Sequence, residues 1–154
     1  MSLDALGNLG ELIAALATIV TLAYLALQIK QSNRSHQLVA VTQLHDSSQE
    51  WLGQLVQDGV ALDAYLVGLN APETLSREQR ARFNLMVLQC LRGGEAGWIQ
   101  SEWGLVDSEY WSGFREIIKH VVGSEGGRKA FDQNRHFLNP KFADEVDRIL
   151  SETD

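Results

Sequence analysis

The sequence predicts an all-α protein in which an N-terminal transmembrane helix is followed by a small bundle of about five helices. Three observations lead to this prediction. Residues 12–29 contain no charged side chain. Apolar residues in the remainder recur at the three- and four-residue spacings of a helix, and no segment alternates apolar and polar residues well enough to form a strand. We therefore expect a transmembrane helix within residues 1–30 and a helical cytoplasmic domain over residues 31–154.

The charge-free run, Leu12 to Ile29, has the length of a membrane span. At about 1.5 Å per residue, its eighteen residues would extend about 27 Å as a helix, close to the thickness of a bilayer core. A buried helix of a soluble protein is the main alternative, although such apolar stretches are commonly about 10–14 residues long. A cleaved signal peptide fits less well because it begins with basic residues, whereas residues 1–11 carry only the charges of Asp4 and Glu11.

The position of the basic residues predicts the orientation of the span. The first two, Lys30 and Arg34, follow the run. The positive-inside rule then places the C-terminal domain in the cytoplasm and the N-terminus outside the inner (cytoplasmic) membrane. The single cysteine, Cys90, cannot form an internal disulfide, which suits a reducing compartment. Both observations predict the same side of the membrane.

One face of the first helix carries small residues followed by polar ones, at alternating spacings of three and four. We call this face the seam: Gly7, Gly10, Ala14, Ala17, Thr21, Tyr24 and Gln28. Small residues let two helix backbones approach closely in lipid, so the seam predicts self-association or contact with another membrane protein. Chance is the alternative, because such residues are common in membrane helices. In an oligomer, the polar end of the seam could instead line a pore or transport path.

The segment between Glu11 and Trp51 contains neither Gly nor Pro, so the first helix can continue into the cytoplasm. Gly53 and Gly59 indicate a bend or a stop. A short apolar helix follows over residues 60–69, and residues 70–73 form a loop. Ser76, with Gln79 three residues later, has the pattern of a capping box that begins the next helix.

The later helices are predicted from their caps and apolar faces. Gly93 and Gly94 interrupt a helical pattern that then resumes, which indicates a kink or close packing. Asp107 is expected to cap a helix ending at Val122. A glycine-rich turn over residues 123–127 precedes a helix around Phe131, and Asn139 with Pro140 begins the last helix.

Two stretches resemble a family of uncharacterised bacterial proteins that have one N-terminal membrane helix and a small helical domain. The first runs from Gly10 through the apolar run to Gln31. The second includes residues 104–107, Trp111, Asn134-Arg135 and Phe142. The resemblance covers about two-thirds of the chain and implies topology and fold class. It implies no activity and no catalytic residues.

The charge of the chain excludes some partners. Its formal net charge is −7 at pH 7, and no basic patch suits nucleic acid, so we expect no nucleic-acid binding. The expected partners are the lipid bilayer and either a second copy or another membrane protein. We expect no cofactor, no metal and no catalytic residue.

The histidines and Cys90 are candidates for metal binding or nucleophilic chemistry. Glu116 and His120 share one helix face, but a metal site needs three or four ligands, so a surface pair is the simpler interpretation. The other histidines are His36, His45 and His136. Cys90 lies among apolar residues, which favours a structural core thiol over a nucleophile.

Carboxylates and aromatic residues cluster in the sequence between residues 95 and 111. Glu95 and Glu102 share a helix face and could form an acid–base pair, although a solvated helix edge is the more ordinary explanation. Trp98, Trp103, Tyr110 and Trp111 indicate core packing, with a ligand or partner pocket as the alternative. The function expected is a self-associating scaffold or partner subunit. The alternatives are a membrane pore and a soluble ligand-binding bundle whose first helix is core.

Overall fold

The computed structural model describes residues 3–152, and within that range it contains helices and no strand. The all-α prediction and the small helical bundle are confirmed. Two short 3-10 turns, Pro72–Thr74 and Arg135–Phe137, join the longer elements. The six α-helices are α1 (Leu3–Gln57), α2 (Gly59–Asn70), α3 (Arg77–Glu102), α4 (Ser108–Val122), α5 (Glu125–Asn134) and α6 (Pro140–Ser151).

Helix α1 is continuous over its whole described length, as the lack of Gly and Pro between Glu11 and Trp51 predicts. It passes through Gly53 without a break and ends at Gln57. The stop comes from Asp58, whose backbone is extended and whose side chain accepts a hydrogen bond of 2.9 Å from the Val60 amide. Asp58 thereby caps α2, since its carboxylate satisfies an amide that has no partner within the helix.

The chain divides into two compact units, residues 1–39 and residues 40–154. The described part of the first unit is the beginning of α1, and its side chains are exposed from Gly10 to Val39. The second unit contains the end of α1 and helices α2 to α6. The predicted boundary at residue 30 concerns the edge of a bilayer, which this division does not locate, so it stays a prediction.

The core of the second unit forms around α3, which packs against α2, α4 and α5, while α6 packs against α4. Large apolar side chains recur along α3 at helical spacing and are withdrawn from solvent, which is the main stabilising contribution in a bundle of this size. The largest fully buried side chains are Phe83, Phe131, Phe142, Leu91, Ile118, Ile149, Val87, Val121, Val122 and Val146.

Glycines allow the helices to approach closely at two places in this core. Helix α3 runs unbroken through Gly93-Gly94. A Cβ atom on Gly94 would lie 2.8 Å from Cδ1 of Ile118, so the absence of a side chain at Gly94 lets α4 pack closely against α3. A Cβ atom on Gly126 would lie 1.7 Å from the carbonyl oxygen of Gly68, so α2 and α5 meet backbone to backbone. Of the two explanations offered for Gly93-Gly94, close packing is the correct one for Gly94.

The helix caps agree with the sequence except at Asp107, which precedes α4 without a capping side-chain hydrogen bond, and around residues 123–127. Ser76 and Gln79 form both hydrogen bonds of the predicted capping box, of 3.2 and 3.0 Å. Asn139 caps α6 by accepting from the Lys141 amide at 3.0 Å, with Pro140 in the first turn. The predicted glycine-rich turn is wrong in extent, because Ser124 accepts from the Gly127 amide at 3.0 Å and begins α5 early.

Candidate functional site

The seam and the apolar run lie on the exposed surface of the first unit. An 18-residue window of the N-terminal helix has a mean hydropathy of 2.2, and none of that window is buried. By length and composition, this is a helix that could cross a membrane. The exposed apolar side chains of the run include Leu12, Ile13, Leu16, Ile19, Val20, Leu22, Leu25, Leu27 and Ile29, each between 45% and 68% exposed.

The seam residues are all exposed as well, and they follow one face of α1: Gly7, Gly10, Ala14, Ala17, Thr21, Tyr24 and Gln28. The hydroxyl of Thr21 donates to the carbonyl oxygen of Ala17 at 2.8 Å, and that of Thr18 donates to the carbonyl oxygen of Ala14 at 2.9 Å. Each hydroxyl proton is therefore satisfied within the helix, which lowers the cost of placing the residue in lipid. Pairing through the seam stays a prediction.

The four aromatic residues predicted as a core cluster or pocket lie in three different surroundings. Trp98 and Trp111 each contact Phe142, with ring centroids 6.0 and 6.4 Å apart. Tyr110 contacts Phe114 at 6.1 Å in a smaller apolar cluster with Ala40, Leu44 and Val106. Trp103 is 73% exposed. Packing contacts thus account for three of the four, while Trp103 extends into solvent.

A cavity of about 380 Å³ lies elsewhere in the second unit, between α1, α2, α3 and α4. Its apolar walls include Trp51 of α1, Tyr65 of α2, Cys90 of α3, and Phe114 and Ile117 of α4. Polar lining residues are Ser47, Ser48, Gln89, Glu116 and His120. The volume and the mainly apolar lining are those of a ligand pocket. None of the four aromatic residues predicted from the sequence lines it.

The sequence contains short-range pairs of cavity residues, but only the structure shows that they line the same cavity. Ser47 and Trp51, like Glu116 and His120, lie four residues apart and share a helix face. Gly93 lies three residues after Cys90 on α3. No pair by itself predicts a cavity, because the pairs come together only when the four helices pack.

Trp51 is held in a fixed orientation at the cavity wall. Its indole Nε1–H donates to the carbonyl oxygen of Met86 at 3.0 Å. Its ring meets that of Tyr65 edge to face, with centroids 5.7 Å apart and planes at 85°. This is a favourable aromatic geometry, so the cavity has one wall whose flat surface is already in place.

The two weakly acidic groups of the wall stay neutral near pH 7. Burial raises the pKa of the Cys90 thiol to about 12. Burial also raises the pKa of the Tyr65 hydroxyl, and proximity to Cys90 raises it further. The charged form of each group is disfavoured because the surroundings are poorly solvated. A thiol of this kind is a poor nucleophile, which agrees with the structural interpretation of Cys90.

Glu95 corrects the expectation of a solvated helix edge. Its side chain is buried, with Oε1 accepting from the Asn139 amide at 2.5 Å and Oε2 accepting from Arg92 at 2.6 Å. Glu102 is exposed. The two carboxylates therefore lie in different environments, and Glu95 serves to attach the start of α6 to α3.

The four histidines do not form a cluster. His36, His45, His120 and His136 are all exposed, and His136 packs against the ring of Phe137 with centroids 3.9 Å apart. Glu116 and His120 both line the cavity. Among the side chains that the structure describes, no three from His, Cys, Asp or Glu are grouped so that they could hold a metal ion.

Comparison with known proteins adds no relative. No protein-family model, curated protein or solved structure matches the chain. The resemblance to bacterial proteins with one membrane helix stays a hypothesis, and the geometry described above carries the functional argument.

Proposed function

We propose that the chain is a single-pass inner-membrane protein whose helical domain lies in the cytoplasm and acts as a scaffold or partner subunit. One observation carries the proposal. The uncharged window of α1 has a mean hydropathy of 2.2, and no part of it is buried within the protein. Fully burying a large aliphatic side chain is worth about 1.5–3 kcal/mol. A run with this many exposed aliphatic residues is therefore favoured in lipid over water.

A soluble bundle with the first helix as core is the competing explanation. In such a bundle the apolar face of the helix would be withdrawn from water. Here the aliphatic side chains of residues 12–29 are exposed on different sides of the helix, for example Ile19 at 62%, Val20 at 66% and Leu22 at 61%. Exposed aliphatic residues over most of the helix surface are typical of a membrane span, and this supports the proposal over the soluble alternative.

Self-association through the seam is part of the same proposal. In lipid, helices associate through close packing and not through the hydrophobic effect, so small residues on one face favour a helix pair. Gly10, Ala14 and Ala17 provide that face next to the exposed aliphatic residues. The alternating spacing of three and four predicts a left-handed crossing between two copies.

Membrane fractionation with an alkaline carbonate wash tests the anchor. We expect the full chain to stay with the membrane. A double variant, Leu16→Arg with Val20→Arg, should move a large part of the protein to the supernatant, because each arginine costs about 2.5–3.5 kcal/mol near the middle of a span. The matched control is Val56→Arg with Val60→Arg, two exposed apolar positions of the second unit. Release of the unaltered protein by carbonate would contradict the proposal.

A second candidate function is a narrow pore or transport component. It is favoured by Thr21, Tyr24 and Gln28, which are exposed polar side chains on one face of the apolar run. If several copies assembled through the seam, these groups would line the axis. Ion flux into reconstituted vesicles, abolished by Thr21→Leu with Gln28→Leu, would support this function. An absence of flux at the same protein density would exclude the pore and favour the anchored scaffold.

A further inference from the structure

We propose that the cavity between α1, α2, α3 and α4 is a binding site for an uncharged, flat, mainly apolar small molecule that carries one hydrogen-bonding group. The residues that define the site belong to the second unit alone, and the inference does not depend on the membrane anchor. It rests on the size of the cavity, on the character of its walls, and on a glycine that keeps it open.

The size of the cavity suits a small molecule of one or two rings. Its volume of about 380 Å³ falls in the lower part of the range of about 300–1,000 Å³ that is typical of ligand pockets. A cavity of about 150 Å³ lined by aliphatic and aromatic side chains is enough to bind benzene. A molecule of two fused rings with a small substituent therefore matches the space available.

The walls select an uncharged ligand. Trp51, Tyr65, Phe114 and Ile117 present aromatic and aliphatic surface, and Cys90 adds a neutral thiol. An ionised group placed among them would lose its hydration without gaining a partner, which costs several kcal/mol.

Two residues that line the cavity, Glu116 and His120, have ionisable side chains. Glu116 and His120 are exposed, and the Glu116 carboxylate lies 3.9 Å from the Lys119 ammonium. These side chains remain hydrated, so they do not make the interior a site for an ion.

The polar groups of the wall can orient one hydrogen-bonding substituent. The indole N–H of Trp51 is already used by Met86, and the hydroxyl of Ser48 donates to the carbonyl oxygen of Leu44. The Tyr65 hydroxyl and the Gln89 amide offer donor and acceptor capacity along the same lining. A few polar groups in an apolar pocket are the usual means of fixing a ligand's orientation.

Gly93 keeps the cavity open and provides the test. It lines the space, and a Cβ atom added there would have only one neighbour within 4 Å, the Ser47 hydroxyl oxygen at 3.9 Å. A leucine at this position can extend into empty volume without displacing the backbone. Gly113, on α4, is a matched control because it is exposed, does not line the cavity, and has no atom within 4 Å of an added Cβ.

The experiment measures binding of 2-naphthol and 2-naphthoate, which share one ring system and differ in charge at pH 7. The full chain is used, in lipid nanodiscs or in buffer as the fractionation result requires, with empty nanodiscs subtracted. Equilibrium dialysis gives the two dissociation constants. We expect saturable one-to-one binding of 2-naphthol, at least about tenfold tighter than that of 2-naphthoate, a difference of about 1.4 kcal/mol.

Three variants then locate the site. Gly93→Leu should weaken 2-naphthol binding by about tenfold or more, whereas Gly113→Leu should leave it unchanged. If Gly93→Leu does not fold by circular dichroism, Ser47→Phe serves in its place, since Ser47 is exposed and adjoins Gly93. Equal binding by the cavity and control variants would overturn the proposal. So would equal affinity for the anion, or no saturable binding to the unaltered chain.

Discussion

The Glu95 carboxylate on α3 accepts a hydrogen bond of 2.5 Å from the backbone amide of Asn139, the residue that caps α6. The two residues are 44 positions apart in the chain. Arg92, one turn earlier on α3, donates to the other carboxylate oxygen at 2.6 Å and to the carbonyl oxygen of Phe137 at 3.2 Å. Glu95 and Arg92 thus hold the segment before α6 from both its amide and its carbonyl side.

Replacing Glu95 should destabilise the second unit without changing its fold. Glu95→Ala leaves a partly buried amide without its acceptor, and we expect the free energy of unfolding to fall by about 2–3 kcal/mol. Glu95→Gln keeps an acceptor and should cost about 1 kcal/mol. Urea denaturation followed by circular dichroism measures both changes. Glu102→Ala, an exposed position of the same helix, should stay within about 0.5 kcal/mol, and an equal loss there would contradict the role given to Glu95.

Gly126 should tolerate no side chain. An added Cβ would lie 1.7 Å from the carbonyl oxygen of Gly68, so Gly126→Ala must force α2 and α5 apart. We expect a loss of at least about 3 kcal/mol, measured as a lowered denaturation midpoint. Gly113→Ala is the control, and it should be neutral or stabilising by up to about 1 kcal/mol, since alanine favours a helix more than glycine does. Similar midpoints for the two variants would show that the contact with Gly68 is not tight.

Cys90 should react slowly with thiol reagents in the folded protein. With a pKa of about 12, its thiolate fraction near pH 8 is about 1,000-fold smaller than that of a thiol with the ordinary value of 9.0. We expect alkylation by iodoacetamide to be slower by up to that factor, and to become fast in denaturant. Because Cys90 is the single cysteine, mass spectrometry of the intact chain follows the reaction directly. Equal rates in the folded and denatured states would contradict a poorly solvated, neutral thiol.

The same raised pKa makes stability depend on alkaline pH. The folded state keeps the Cys90 proton up to about pH 12, whereas the unfolded state loses it near 9. The unfolded state therefore binds fewer protons between these values, and the contribution of Cys90 to stability is complete below pH 9 and is lost as the pH rises towards 12. We expect thermal unfolding of Cys90→Ala to depend less steeply on pH in this window than that of the unaltered chain.

The seam predicts which cysteine variants form disulfide-linked dimers in membranes. In a Cys90→Ala background, Ala17→Cys places a thiol on the seam, whereas Ile19→Cys places one roughly on the opposite face of α1. Oxidation of membranes should link the Ala17→Cys chains and leave the Ile19→Cys chains mainly monomeric, as read on non-reducing gels. Equal linkage at both positions would indicate random collision and would count against the seam.

Much of the fold could be predicted because local signals specify it. The charge-free run, the lack of Gly and Pro before Gly53, the Ser76–Gln79 capping box and the Asn139-Pro140 pair each act within a few residues of chain. The start of α5 could not be predicted from helix propensity. Gly126 and Gly127 have low intrinsic helix propensity, but the Ser124 cap and the contact with Gly68 make them helical.

The candidate site could not be predicted, because it depends on which helices are neighbours. Trp51, Tyr65, Cys90 and Phe114 come from four helices, and no local spacing relates them. Trp98 and Trp111 are close in sequence, which predicts a shared cluster or pocket, yet both pack on Phe142. The burial of Glu95 could not be predicted either, since it results from a segment 44 residues away.

The backbone contact between Gly68 and Gly126 has a consequence for recognising distant relatives of this chain. Aliphatic residues of a helical core can replace one another as long as volume is kept, so their identities drift and leave little trace. A contact without room for a methyl group permits no such exchange. We expect that chains sharing this fold can differ at most apolar positions and still keep glycine at the equivalent of Gly126, which would make that glycine a durable sign of common descent.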